Sequence, residues 1–148
     1  MAVQSWREML RGLSSDCEFS PPTTEYQLES SERELGAGLP DDLRSLLSET
    51  NGVTAEYGVA LIWPIERILN DNMAFRSNPE FRELYMPFEP LLFFADAGNG
   101  DQFGFSVLAG CVRRTDVFTW NHEDDSRTWV APTLARYLEG WLSGQINL

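Results

Sequence analysis

The chain has 148 residues, 43% of them hydrophobic and 12% aromatic, enough apolar material for one domain spanning 1–148 with its own core. Net charge is −12 and every cation is Arg, so the P-loop lysine, the Schiff-base lysine and the kinase strand lysine are excluded together. The same charge repels nucleic acid as a direct ligand and attracts a basic partner at long range.

In chain order, Val3, Trp6, Leu10 and Leu13 recur at helical spacing and predict an amphipathic helix near 3–13 that stops at Gly12 and Ser14-Ser15. Phe19 to Thr24 is polar and holds two prolines, which reads as a surface connection. Ser31 and Glu34 have capping-box spacing and predict a short helical turn ending at Gly36 or Gly38. "LPDDLRSLLSETNG" predicts a marked helix: Pro40 near its start, Asp41 and Asp42 in the first turn, Leu43, Leu46 and Leu47 on one face, and Asn51-Gly52 closing it. Val53 to Trp63 reads as two short strands broken at Gly58, and Pro64 starts a helix carrying Ile65, Ile68 and Leu69. A short helix is expected from Pro79 to Tyr85. The runs Leu91–Ala95, Gln102–Leu108 and Val117–Trp120 predict an antiparallel meander. "PTLARYLEGWLSG" is the clearest helix, with Leu134, Tyr137, Leu138, Trp141 and Leu142 on one stripe between Pro132 and Gly144. Strands and helices do not alternate as a parallel sheet requires, so the fold class is α+β.

No apolar run approaches the length of a membrane span, and "MAVQSWREMLRG" lacks the order of a signal peptide; the expected location is the cytoplasm, with no membrane partner. Cys17 and Cys111 are too few and too far apart for a disulfide framework and are expected as buried or reduced thiols.

"ADAGNGDQFGF" is the most motif-like stretch. Its glycines are out of register with the dinucleotide fingerprint, and alternating aromatics follow where that motif needs a helix. A calcium loop needs oxygen ligands where Gly98 and Gly100 stand. A tight hairpin remains, with Asp96 and Asp101 flanking the turn and facing solvent. His122, the only histidine, adjoins Glu123, Asp124 and Asp125, but adjacency along the chain is not convergence in space. A zinc site from Cys17, Cys111 and His122 lacks the usual spacing, magnesium at the acidic run would be weak, and Ser106 lacks the flanking glycines of a nucleophile elbow. No cofactor, metal or catalytic residue is therefore expected.

Three patterns together carry a family resemblance. "LGAGLPDDLRSLLSETNG", "FFADAGNGDQFGF" and "VFTWNHEDD...WVAPTLARYLEGWL" resemble the Leu-Pro helix, the Gly-Asn-Gly-Asp hairpin and the closing strand, turn and final helix of the SMI1/KNR4 family, or SUKH superfamily, over about 35–142. The resemblance implies a curved, mainly antiparallel sheet with helices packed on it. It also implies a non-enzymatic binding protein: many bacterial members are immunity proteins against a polymorphic toxin, often a nuclease or deaminase, and fungal relatives are scaffolds in cell-wall regulation. The charge suits a toxin with a basic active-site surface. Partner contacts are expected at Glu123, Asp124 and Asp125, at Asp96 and Asp101, and at Trp129, for which core packing is the equal alternative. The alternative function is a regulatory scaffold holding a peptide or small ligand in the concave sheet.

Overall fold

The computed structural model describes residues 5–146, so Val3 lies outside the described residues. Helix α1 (Trp6–Leu13) begins at Ser5, whose side chain accepts from the Glu8 N–H. Its first free N–H groups, those of Trp6 and Arg7, donate to the Glu49 carboxylate, which ties α1 to α3 (Asp41–Glu49). Between them, α2 (Glu25–Leu35) starts well before Ser31. Thr24 and Gln27 have the same capping-box spacing as Ser31 and Glu34, and both of their reciprocal bonds form. The upstream box wins because it puts Leu28, Ser31 and Leu35 on one buried stripe, which uses Ser31 as a small packing residue.

The segment before α2 is more than a surface connection. Glu18–Phe19 forms β1, paired with β2 (Val53–Thr54), and Thr23 is buried with its N–H on the Leu47 carbonyl. Asn51-Gly52 also does something other than close α3 with a pair of left-handed residues. Only Gly52 has positive φ, 92°, and a Cβ there would stand 2.9 Å from the Pro64 nitrogen. Asn51 instead reaches across to α4 (Ile65–Ser77), accepting from the Ile65 N–H at 2.8 Å where Pro64 has no capping side chain.

The remaining elements follow the expected order, with one tight helical turn at Glu56–Gly58 between β2 and β3 (Ala60–Ile62), and α5 (Pro79–Leu84) after α4. Strands β4 (Leu91–Asp96), β5 (Gln102–Ser106), β6 (Val117–Trp120) and β7 (Arg127–Ala131) form a four-stranded antiparallel sheet in that order, closed by α6 (Leu134–Ser143). Strands β1, β2 and β3 form a second antiparallel sheet, and the two meet where the Trp63 N–H donates to the Phe94 carbonyl at 2.8 Å. The class is α+β, as the sequence implies. β7 is a strand the periodicity did not reveal, because Thr128 and Trp129 both stay exposed and no buried stripe marks it.

The larger sheet is packed on both faces. Phe93 and Trp120 join Phe75, Phe81, Tyr85 and Phe88 from the α4–α5 side in a cluster of largely edge-to-face rings. Phe94, Phe103 and Phe105 meet Tyr137 and Trp141 of α6 on the other face, and burial pushes the Tyr137 phenol pKa up. A bulge between Phe93 and Ala95 skips Phe94 in the β5 register and frees its carbonyl for Trp63.

Strand β5 lies against β4 so closely that a Cβ on Gly104 would sit 2.8 Å from the Leu92 carbonyl oxygen. The obstacle is backbone and cannot rotate away. Gly104→Ala is expected to cost about 1–3 kcal/mol, read as a lower urea midpoint with unchanged slope. An unchanged midpoint would show that the β4–β5 spacing is adjustable.

Candidate functional site

The expected contact residues gather at one end of the larger sheet, around the β4–β5 hairpin and the β6–β7 turn. The hairpin reading holds: Asp96 pairs with Gln102, the Ala97 N–H donates to the Asp101 carbonyl, and Gly98 and Gly100 take φ of 84° and 104°. Its two aspartates do not face solvent as expected. Asp96 Oδ2 accepts from Trp63 Nε1 at 2.8 Å and from Arg67 at 2.9 Å, and the Arg67 guanidinium lies over the Trp63 ring. Asp101 is only 5% exposed. A buried carboxylate needs donors, and these tertiary partners supply them.

Asp101 meets His122 directly. Its Oδ1 accepts from the His122 backbone N–H at 3.1 Å and lies 2.7 Å from His122 Nδ1. The contact depends on Gly100, where a Cβ would come within 2.9 Å of the imidazole. The Tyr85 hydroxyl donates to the His122 carbonyl, fixing the same turn from the α5 side. Sequence reading linked His122 to its chain neighbours and missed Asp101, because the partners sit on different strand ends.

The acidic run divides by role. Glu123 and Asp124 are exposed at the turn, and the Ser126 hydroxyl and N–H hold the Asp124 pKa below the usual carboxylate range. Asp125 turns inward with φ of 62° and is three ways engaged. Oδ1 accepts from Trp120 Nε1 at 2.7 Å and from Arg127 at 3.2 Å; Oδ2 accepts from the Met86 N–H at 2.8 Å. Desolvation pushes its pKa up, but these donors together outweigh it and leave the value lowered.

Trp129 does not pack into the core: it is 52% exposed on β7, cross-strand from Phe118. β7 has a sheet neighbour on one side only, and among the described residues no strand pairs with its other edge. The β4 edge, in contrast, is covered, with Asn72 of α4 bonded to both the N–H and the C=O of Phe93.

The arrangement orients a histidine, and among the described residues no hydroxyl or thiol is hydrogen-bonded to its second ring nitrogen. Among those residues no three His, Cys, Asp or Glu side chains come together as a metal site. Cys17 is half-buried and Cys111 exposed; both are free, which agrees with reduced thiols, though neither is fully buried, and Cys111 bridges to Leu108 across the two-residue turn Ala109-Gly110. No described helix is long and apolar enough to cross a membrane.

No curated protein matches the chain. A family model described as SMI1-KNR4 cell-wall, SUKH_6, matches residues 25–138, from the first residue of α2 into α6. That span is well over half of the 148 residues and holds the hairpin, the His122 turn and five of the six described helices at least in part. The chain therefore belongs to the SMI1-KNR4 family, the SUKH superfamily.

Proposed function

We propose that this chain is a non-enzymatic immunity-type protein that binds and neutralises a protein toxin with a basic active-site surface, of nuclease or deaminase type. The observation that carries the reading is the exposed Glu123-Asp124 turn of a chain with net charge −12, held in place by the bonds of Asp101 and Asp125. Family membership supports a binding role. Glu123, Asp124 and Trp129 offer the direct contacts: two carboxylates that steer the encounter and one half-exposed indole as an anchor. Asp96 and Asp125 are occupied internally and hold the surface, while Asp101 has only one oxygen committed to His122.

Co-expression with toxin domains encoded beside its gene tests the reading, with survival and recovery of a complex as the expected result. The double variant Glu123→Arg, Asp124→Arg is expected to lower the association rate by about 10-fold or more at low salt, with the difference shrinking as salt rises. Failure to protect against any neighbouring toxin would sink the immunity reading; an unchanged association rate would remove this turn from the interface.

One feature favours the scaffold alternative. A cavity of about 210 Å³ opens beside Phe75, Phe81, Tyr85 and Phe88, with Arg76, Arg82 and Glu89 also lining it, near the exposed Leu84 and Met86. It lies against α4 and α5 rather than in the sheet.

A further inference from the structure

A second cavity, of about 390 Å³, lies at the same end of the larger sheet as the His122 turn, between the ends of β5, β6 and β7 and the residues that follow α6. Its lining contains Asp101, Thr119, Asn121, Thr128, Trp129 and Ile146, and neither Arg nor Lys lines it. The sheet register explains the polarity. Phe103 pairs with Thr119 and Thr119 with Thr128, so the α6 face of the sheet changes from aromatic to hydroxylated toward the β7 edge.

Two polar groups there are unmatched. The Thr119 hydroxyl is buried, in a residue 5% exposed, and has no hydrogen-bond partner. Asp101 Oδ1 is taken by both His122 bonds, but among the described residues no donor reaches Oδ2. A buried hydroxyl is normally satisfied, so the unmatched Thr119 hydroxyl, in the same cavity lining as an uncommitted Asp101 oxygen, points to a partner from outside the chain.

We propose that this cavity is a recognition pocket for the guanidinium of an arginine side chain presented by a basic protein partner. The proposal rests on the reading that the chain binds such a partner. The uncommitted Asp101 oxygen can accept from a cation or a strong donor, and the net charge of −12 disfavours an anion. A guanidinium, with five N–H donors in a planar fork, has donors for both the Asp101 oxygen and a threonine hydroxyl, whereas a lysine ammonium offers a single point charge. The strand-free edge of β7 contributes Thr128, Trp129 and Val130 to the pocket lining, so a partner segment lying along it would bring its side chains to the opening.

The probe is N-acetyl-L-arginine amide, which carries the side-chain charge without free termini. It is titrated into the intact protein while the threonine methyl and backbone amide signals are followed by NMR. Shifts are expected at Asp101, Thr119 and Thr128, with the uncharged citrulline analogue binding about 10-fold more weakly. Thr119→Val removes the unmatched hydroxyl and keeps the β-branched shape, so it folds and is expected to weaken the probe several-fold. Asp101→Asn is expected to weaken it further.

Equal binding of the citrulline analogue, shifts centred elsewhere, or full affinity in both variants overturns the proposal and leaves the cavity to ordered water. Tighter binding of free L-arginine than of the blocked form also overturns it, assigning the pocket to a metabolite. Toxin neutralisation is scored separately in the double variant Asp101→Asn, Thr119→Val. Protection that persists while the probe fails to bind rejects the pocket and leaves the immunity reading standing.

Discussion

Replacing Asn72 by Leu is expected to lower the stability of the fold by about 3–5 kcal/mol, although the two side chains are close in volume. Asn72 is 1% exposed and sits on the inner stripe of α4, after Ile65 and Ile68. Its Nδ2 donates to the Phe93 carbonyl at 2.8 Å and its Oδ1 accepts from the Phe93 N–H at 2.8 Å. The side-chain amide thus takes the place of a neighbouring strand on the outer edge of β4. Leucine leaves both backbone groups buried without partners, each costing about 1–3 kcal/mol. For a chain of this size the melting temperature should fall by roughly 10 °C. Asn72→Asp keeps the acceptor, loses the donor and adds a buried charge, so it should be no milder. A loss below about 1 kcal/mol in the leucine variant would mean that water or another group reaches Phe93.

Replacing Asp125 by Ala is expected to cost about 2–4 kcal/mol. Trp120 Nε1, the Met86 N–H and Arg127 lose their common acceptor, and Ala is strained at φ of 62°, a conformation Asp and Asn tolerate. Asp125→Asn keeps the backbone and an acceptor, so it should retain more than half of that stability. The charge then separates by pH. The folded-state pKa of Asp125 is depressed, so its ionised form contributes stability above the unfolded value, about 3.9, and loses it as pH falls through the folded value. The gap between the parent protein and Asp125→Asn should therefore be widest near neutral pH and close as pH falls through the folded value. Chemical denaturation across that range measures it; a gap independent of pH would show that the carboxylate's charge is not what holds Met86, Trp120 and Arg127.

These two residues also show where sequence reading stopped. Asn72 left a faint signal, a polar side chain on an otherwise apolar helical stripe, with nothing to identify Phe93 as its partner. Asp125 left a misleading one, since three consecutive acidic residues look alike until the turn sends one inward and two outward. Ser31 and Thr24 both had capping-box spacing, and only the burial of Leu28 and Leu35 decided between them. Asp96 and Asp101 belonged to the hairpin in either view, but their burial depends on Trp63, Arg67 and His122, which lie far along the chain.

By itself the sequence determined what depends on near neighbours: the α+β class, the helices at Asp41–Glu49, Ile65–Ser77 and Leu134–Ser143, the hairpin that Gly98 and Gly100 permit, and an acidic, lysine-free surface. These follow from periodicity, capping and glycine φ, which act over a few residues. Tertiary structure alone decided which carboxylates are free. Whether an aspartate is buried or exposed depends on the donors that distant elements bring to it, as His122 comes to Asp101 and Met86 to Asp125, and no local rule carries that information.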